Sequence, residues 1–174
     1  SPITTHIPIN QVERKVKKKI IVNNIKSINE FYKKFLGFKP SIAVTGLNPH
    51  CETFVKKNIE KTEILPAIKS LKKLKIKVSG PFSADTIFLK QNRKKYNVIL
   101  GMYHDQVLAP IKTLMEYDAI NITLGLPFMR ISPDHGPNEK MLGKNISNPL
   151  SLMRAISFLD KHWLKLKKVW VKIS

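Results

Sequence analysis

A single cysteine, Cys51, occurs in the 174 residues of the chain. That excludes an internal disulfide and any metal site built of thiolates alone, and it fits a reducing, cytoplasmic setting. No apolar run approaches the roughly 20 residues that span a bilayer. Residues 1–11 lack the basic head and apolar middle of a signal peptide. There is no G-x-G-x-x-G, which removes the usual Rossmann dinucleotide fingerprint. Acidic residues are scarce as well: 12 Asp and Glu against 31 Lys and Arg leave a net charge of +19. Arginine contributes little to that excess, through Arg14, Arg93, Arg130 and Arg154 alone. Lysine is a point charge on a flexible stem, whereas base edges and phosphates favour the planar guanidinium. The charge therefore reads first as a solvated lysine-rich surface, with a basic nucleic-acid-binding module as an alternative.

What is present suits one globular domain, 1–174, with a genuine core. Over residues 12–36, Ile21, Ile25, Ile28, Tyr32 and Phe35 recur at helical spacing, and Gly37 is a plausible stop. Residues 41–47 are short, apolar and β-branched, which predicts a buried strand running into Asn48-Pro49-His50. A second helix is predicted over 61–74, with Ile64, Ile68 and Leu71 inward and Pro66 disturbing its first turn. A brief strand at 75–78 should end at Gly80-Pro81. Residues 97–100 predict a buried strand that delivers Met102-Tyr103-His104-Asp105 to its C-terminal end, and 119–124 a further strand. Asn148 and Pro149 open a last helix with Leu152, Ile156, Leu159 and Trp163 on one face. The basic tail 165–174 reads as an edge strand or a frayed end. Strands alternating with helices predict an α/β fold, a three-layer parallel or mixed sheet flanked by helices. In such sheets ligands gather beyond the strand C-termini.

Three of the five histidines sit in stiff local settings: Thr4-Thr5-His6-Ile7-Pro8, Asn48-Pro49-His50 and Tyr103-His104-Asp105-Gln106. Imidazole is the commonest zinc ligand, and three histidines with one open position make a catalytic arrangement. Taken singly, each histidine is more often a hydrogen-bonded structural residue, and ligands this far apart have no diagnostic spacing. Asp85 and Asp105 can orient ligands or relay protons, or simply serve as caps and turns. Lys112, Asn121 and Arg130 supply the positive charge and donors that a phosphate needs. Cys51 reads as an inert thiol rather than a ligand.

The ordered series TTHIP, KPSIAVTGLNPH, GPFSADTIF, GMYHDQ, INITLGLPFMRISPDHG and NPLSLMRAI resembles the C-terminal portion of 4-hydroxythreonine-4-phosphate dehydrogenase, an enzyme of vitamin B6 synthesis. The similarity runs from Thr4 to about Leu159. It implies a fold like isopropylmalate and isocitrate dehydrogenases, incomplete here because the family has a long segment before TTHIP. It also implies NAD bound at a non-Rossmann site and a homodimer whose active site lies at the subunit interface. A divalent metal (zinc, magnesium or cobalt) would be held by His6, His50 and His104, drawn from both subunits. Lys112, Asn121 and Arg130 match family residues that bind the phosphorylated substrate. With Asp105 and Lys112 as the catalytic candidates, the implied reaction is oxidation of 4-phosphohydroxy-L-threonine followed by decarboxylation.

The chain departs from the family at two loops. Cys51-Glu52-Thr53-Phe54-Val55, one residue shorter and without glycines, replaces a glycine-rich AGEGG-type loop, and Asp134-His135-Gly136-Pro137-Asn138 replaces a DHGTA pattern. Together with the missing segment, these departures make a split subunit with a separate N-terminal partner, or an inactive remnant that still dimerises, the alternatives to a working enzyme.

Overall fold

The computed structural model describes residues 1–51, 58–126, 128–136 and 139–170, with side chains described as far as His162. Two compact units emerge: Ser1–Lys33 with Gly37–Pro110, and Lys34–Leu36 with Ile111–Ser174.

The first unit is built on a parallel sheet of four short strands, β1 (Pro2–Thr4), β2 (Ile42–Thr45), β3 (Val78–Phe82) and β4 (Val98–Tyr103), in the order β1-β4-β2-β3. Ile42, Ala43, Val44 and Thr45 are all fully buried. That is why β2 shows no polar face: it lies between β4 and β3. Helix α2 (Lys18–Phe31) turns Ile21, Ile25 and Ile28 inward, and α3 (Leu65–Lys73) turns Ala67, Ile68 and Leu71 inward. With Leu100 and Met102 of β4 these side chains make the core. The expected α/β architecture, a parallel sheet flanked by helices, is what forms.

The helix expected over 12–36 is divided. α1 (Val12–Lys15) ends at Val16, which is extended (φ −74°, ψ 99°) and wholly buried. α2 then begins afresh, its Lys18 N–H donating to Glu63 Oε2 at 2.6 Å, so a distant carboxylate satisfies the helix start. Residues Tyr32–Leu36 widen into a π-turn that stops at Gly37, whose φ of 85° is left-handed as the stop requires.

The second helix opens likewise with a π-turn, Glu60–Ile64, in which Leu65 N–H reaches Glu60 O. Pro66 has no N–H to offer Thr62, so regular α-bonding resumes only beyond it. The strand expected at 75–78 runs instead from Val78 to Phe82, through Gly80-Pro81. β3 is an edge strand, where proline forfeits no ladder bond, and its pairing with β2 shifts register at that point. Gly80 (φ +131°) is required there: a Cβ would lie 2.3 Å from the Val44 carbonyl oxygen. Two short helices, α4 (Ala84–Ile87) and α5 (Lys90–Arg93), lead to β4. Helix α6 (His104–Met115) follows β4 directly. It went unread in the sequence because Pro110 lies inside it.

In the second unit β5 (Ile120–Thr123) pairs antiparallel with β6 (Arg130–Pro133). α7 (Leu150–Trp170) starts as expected, Asn148 Oδ1 accepting from Leu150 N–H at 2.9 Å. Its buried face is Ser151 and Ala155, whereas Leu152 and Ile156 are 49% and 58% exposed. Ser151 decides this orientation. Its hydroxyl donates to Ala119 O and accepts from Asp134 N–H, fastening the helix to both strands at one end of the β5–β6 ribbon. Arg154 adds a two-pronged pair with Asp118, at 2.7 and 3.0 Å. Trp163 lies outside the described side chains. Of the tail read as an edge strand or a frayed end, residues 165–170 continue α7 to Trp170, and 171–174 lie outside the described residues. No helix among the described residues is long and apolar enough to cross a membrane.

Candidate functional site

Parallel pairing carries the histidines of the first unit to one edge of the sheet. Thr4 is the register partner of Tyr103, so His6 and His104 leave β1 and β4 side by side. Their ring centroids are 5.8 Å apart with the planes tilted by 46°. Two imidazoles bound at about 2.1 Å to one tetrahedral ion hold their centroids about 5 Å apart, so the pair is close to a two-ligand half-site. His104 Nδ1 lies 2.7 Å from Asp105 Oδ1, which fixes the proton on Nδ1 and leaves Nε2 as the ring's coordinating atom.

His50 follows β2, the other neighbour of β4. Its Nδ1 stands 4.0 Å from Asp85 Oδ2 at the start of α4. His6 (φ 49°), His50 (φ 56°) and Cys51 (φ 54°) all adopt the left-handed region. A side chain there costs on the order of 1–2 kcal/mol; Lys75, Glu116 and Asn145 take the same conformation elsewhere, so the backbone by itself marks no site. Among the described residues no group of three or more His, Cys, Asp or Glu side chains is placed to hold a metal ion within one chain. His6 and His104 are brought together; His50 is paired with Asp85.

Two buried polar residues passed over in the sequence hold this edge in place. Glu60, fully buried, accepts from Leu47 N–H at 2.9 Å, Asn48 N–H at 2.8 Å and the Asn48 side-chain amide at 2.9 Å. Gln106 accepts from Thr45 Oγ1 and Met102 N–H at 2.8 and 2.7 Å and donates to Gly46 O at 2.8 Å. A polar residue breaking an apolar helical stripe, as Glu60 does before Ile64 and Ile68, was the available signal. Cys51 has its thiol pushed up from the usual 9.0, chiefly by burial and, to a lesser degree, by the charge of Glu60. It is no ready thiolate ligand.

The anion-binding candidates belong to the second unit. Asn121 pairs with Ser132 and Thr123 with Arg130, so Asn121 and Arg130 are diagonal neighbours on one face of the ribbon. Arg130 Nη1 donates to Thr123 Oγ1 at 3.2 Å. Lys112 is engaged by Asp134, through the backbone carbonyl and through Oδ2 at 2.9 Å. His135 is exposed, with Nδ1 3.3 Å from Gly136 O, and His162 stacks against Phe158 at 4.6 Å. The altered loop at 52–55 and the pair Pro137-Asn138 lie outside the described residues.

These features define an α/β protein whose first unit carries the candidate histidines beyond the C-terminal ends of its parallel strands. The family described as pyridoxal phosphate biosynthetic protein PdxA matches residues 1–159, and the chain belongs to that family. A 4-hydroxythreonine-4-phosphate dehydrogenase of Sulfurihydrogenibium sp. (strain YO3AOP1) is 45% identical over 156 residues, 88% of this chain and 48% of the relative. The Aquifex aeolicus protein of the same name is 42% identical over 160 residues, 91% of this chain and 49% of its own. The crystal structure of 4-hydroxythreonine-4-phosphate dehydrogenase from Klebsiella pneumoniae superposes with a TM-score of 0.78 at 32% identity, covering 91% of this chain and 49% of that one. A terephthalate 1,2-cis-dihydrodiol dehydrogenase from Burkholderia xenovorans LB400, at 20% identity and a TM-score of 0.69, shares the fold. The chain spans about half the length of the curated relatives it matches.

Proposed function

We propose that the chain is the metal- and substrate-binding part of a 4-hydroxythreonine-4-phosphate dehydrogenase, which oxidises 4-phosphohydroxy-L-threonine with NAD and then decarboxylates the product, in vitamin B6 synthesis. The observation that carries this reading is the facing pair His6 and His104, with Asp105 settling the tautomer of His104. Relatives bearing the dehydrogenase name support it.

In this reading His6, His50 and His104 hold a divalent cation, with a second copy of the chain completing the coordination. When bound, the cation supplies fixed positive charge beside the oxygen of the alcohol being oxidised. The chain's own groups do the rest. Asp105 keeps Nδ1 of His104 protonated and the ring aimed. Asn121 and Arg130, sharing one ribbon face, grip the phosphate with a donor and a guanidinium. Lys112 exchanges its Asp134 partner for an anionic oxygen of the substrate, and compartment and assembly follow those of a cytoplasmic homodimer.

The test is metal analysis of the purified chain beside the His104→Ala variant, with NADH formation from the phosphorylated substrate. The reading expects one divalent ion (zinc, magnesium or cobalt) per chain, lost in the variant, and NADH produced only by the parent, alone or with an added N-terminal half. A folded chain that retains no divalent ion and yields no NADH under either condition sinks it.

A further inference from the structure

A carboxylate wholly removed from water needs compensation, and Glu60 finds all of it in one place. Both its oxygens are taken by N–H groups of Leu47 and Asn48, in the turn that leads to His50. The same turn is gripped from its other end, because Gln106 donates to Gly46 O while its carbonyl oxygen ties the ends of β2 and β4 together. Gln106 itself stands one residue beyond Asp105 at the start of α6, so whatever fixes Gln106 also fixes where His104 leaves β4. Gly46 fits this arrangement closely: a Cβ there would lie 2.6 Å from Cys51 Sγ and 3.3 Å from Glu60 Oε1. Three consecutive residues, Gly46 to Asn48, are thus held by two buried side chains from different helices. His50, two residues further on, is left in a left-handed conformation that its own preference does not favour.

We propose that Glu60 and Gln106 are paired positioning residues: from two sides they clamp the Gly46-Leu47-Asn48 turn and so set the placement of the His50 imidazole relative to His104. Neither touches the cation or the substrate. Their role in the reaction rests on the metal-site reading given above, whereas the clamp itself does not.

The test uses the full chain and three variants. Glu60→Gln keeps one oxygen for the two backbone N–H groups. Glu60→Asp keeps the charge but is one methylene too short to reach them. Gln106→Leu removes the second grip. Amide hydrogen exchange at Leu47 and Asn48 and the His50 ring resonances are read by NMR, and affinity is read by titration with cobalt(II) alone. Glu60→Asp and Gln106→Leu should each speed exchange at the turn at least tenfold, move the His50 ring signals, and weaken cobalt binding by roughly 10–100-fold, the scale for partners behind metal ligands. Glu60→Gln should stay within about threefold of the parent on the same scale. Glu60→Asp indistinguishable from the parent, or Glu60→Gln as damaged as Glu60→Asp, overturns the proposal. A parent chain that binds no cobalt, with exchange and ring signals changing as expected, removes the metal-site reading and leaves the clamp standing.

Discussion

His104 Nδ1 and Asp105 Oδ1, on adjacent residues at the start of α6, lie 2.7 Å apart, so the carboxylate selects which ring nitrogen remains free. Asp105→Asn keeps the size of the side chain but can present its amide nitrogen to the ring, admitting the other tautomer. Cobalt(II) affinity should fall by about tenfold, as for other carboxylates behind a ligating histidine. Isothermal titration checks this, and an unchanged affinity removes Asp105 from the site.

The left-handed backbone at His50 gives a prediction about stability that is independent of any ligand. His50→Ala leaves a Cβ in that conformation and His50→Gly does not. The glycine variant should therefore be the more stable of the two by about 1 kcal/mol in denaturant unfolding. Equal midpoints, with equal slopes, would show that the turn relaxes to another conformation.

Much of the fold was legible in the residues. The apolar run of β2, the strand that delivers His104 and the Asn148 cap all follow from patterns that act over a few neighbours. β1 was missed because Pro2–Thr4 is too short to show any period, and its register with β4 is what brings His6 beside His104. α6 was missed because Pro110 argues against a helix locally while Val107, fully buried, anchors the same segment through packing. Glu60 and Gln106 escaped for a related reason: the partners of Glu60 lie 12–13 residues away and two of the three of Gln106 lie 60–61 away, and no local rule marks a polar side chain as buried. Leu152 and Ile156, from the expected apolar face of α7, are exposed because Ser151 and Arg154 hold the opposite side of the helix against the ribbon.

Cys51 is raised above its usual value, chiefly by burial. Its proton is therefore held in the folded chain at pH values where the unfolded chain releases it. The unfolded state then binds fewer protons, so this residue's contribution to stability is complete below the usual 9.0 and declines as pH rises through the folded-state value. As the only thiol, Cys51 allows a direct check with iodoacetamide. At pH 8 alkylation of the folded chain should run several-fold slower than that of the urea-unfolded chain, and the difference should narrow as pH is raised further. Equal rates at pH 8 contradict the assigned burial.

Arg130 separates charge from shape in the proposed phosphate grip. Its guanidinium is steadied by Thr123 Oγ1 at 3.2 Å, and Asn121 lies diagonally across the same face. Arg130→Lys preserves the charge and discards the planar fork, so the variant should bind phosphate through one contact instead of two. The expected result is a KM for the phosphorylated substrate raised about tenfold with kcat nearly unchanged, the signature of lost binding common to ground and transition states. Thr123→Val, which removes only the support, should move KM in the same direction by a smaller factor. If kcat falls in step with kcat/KM while KM stays level, Arg130 acts in the chemical step and the ribbon face is not a simple anion grip.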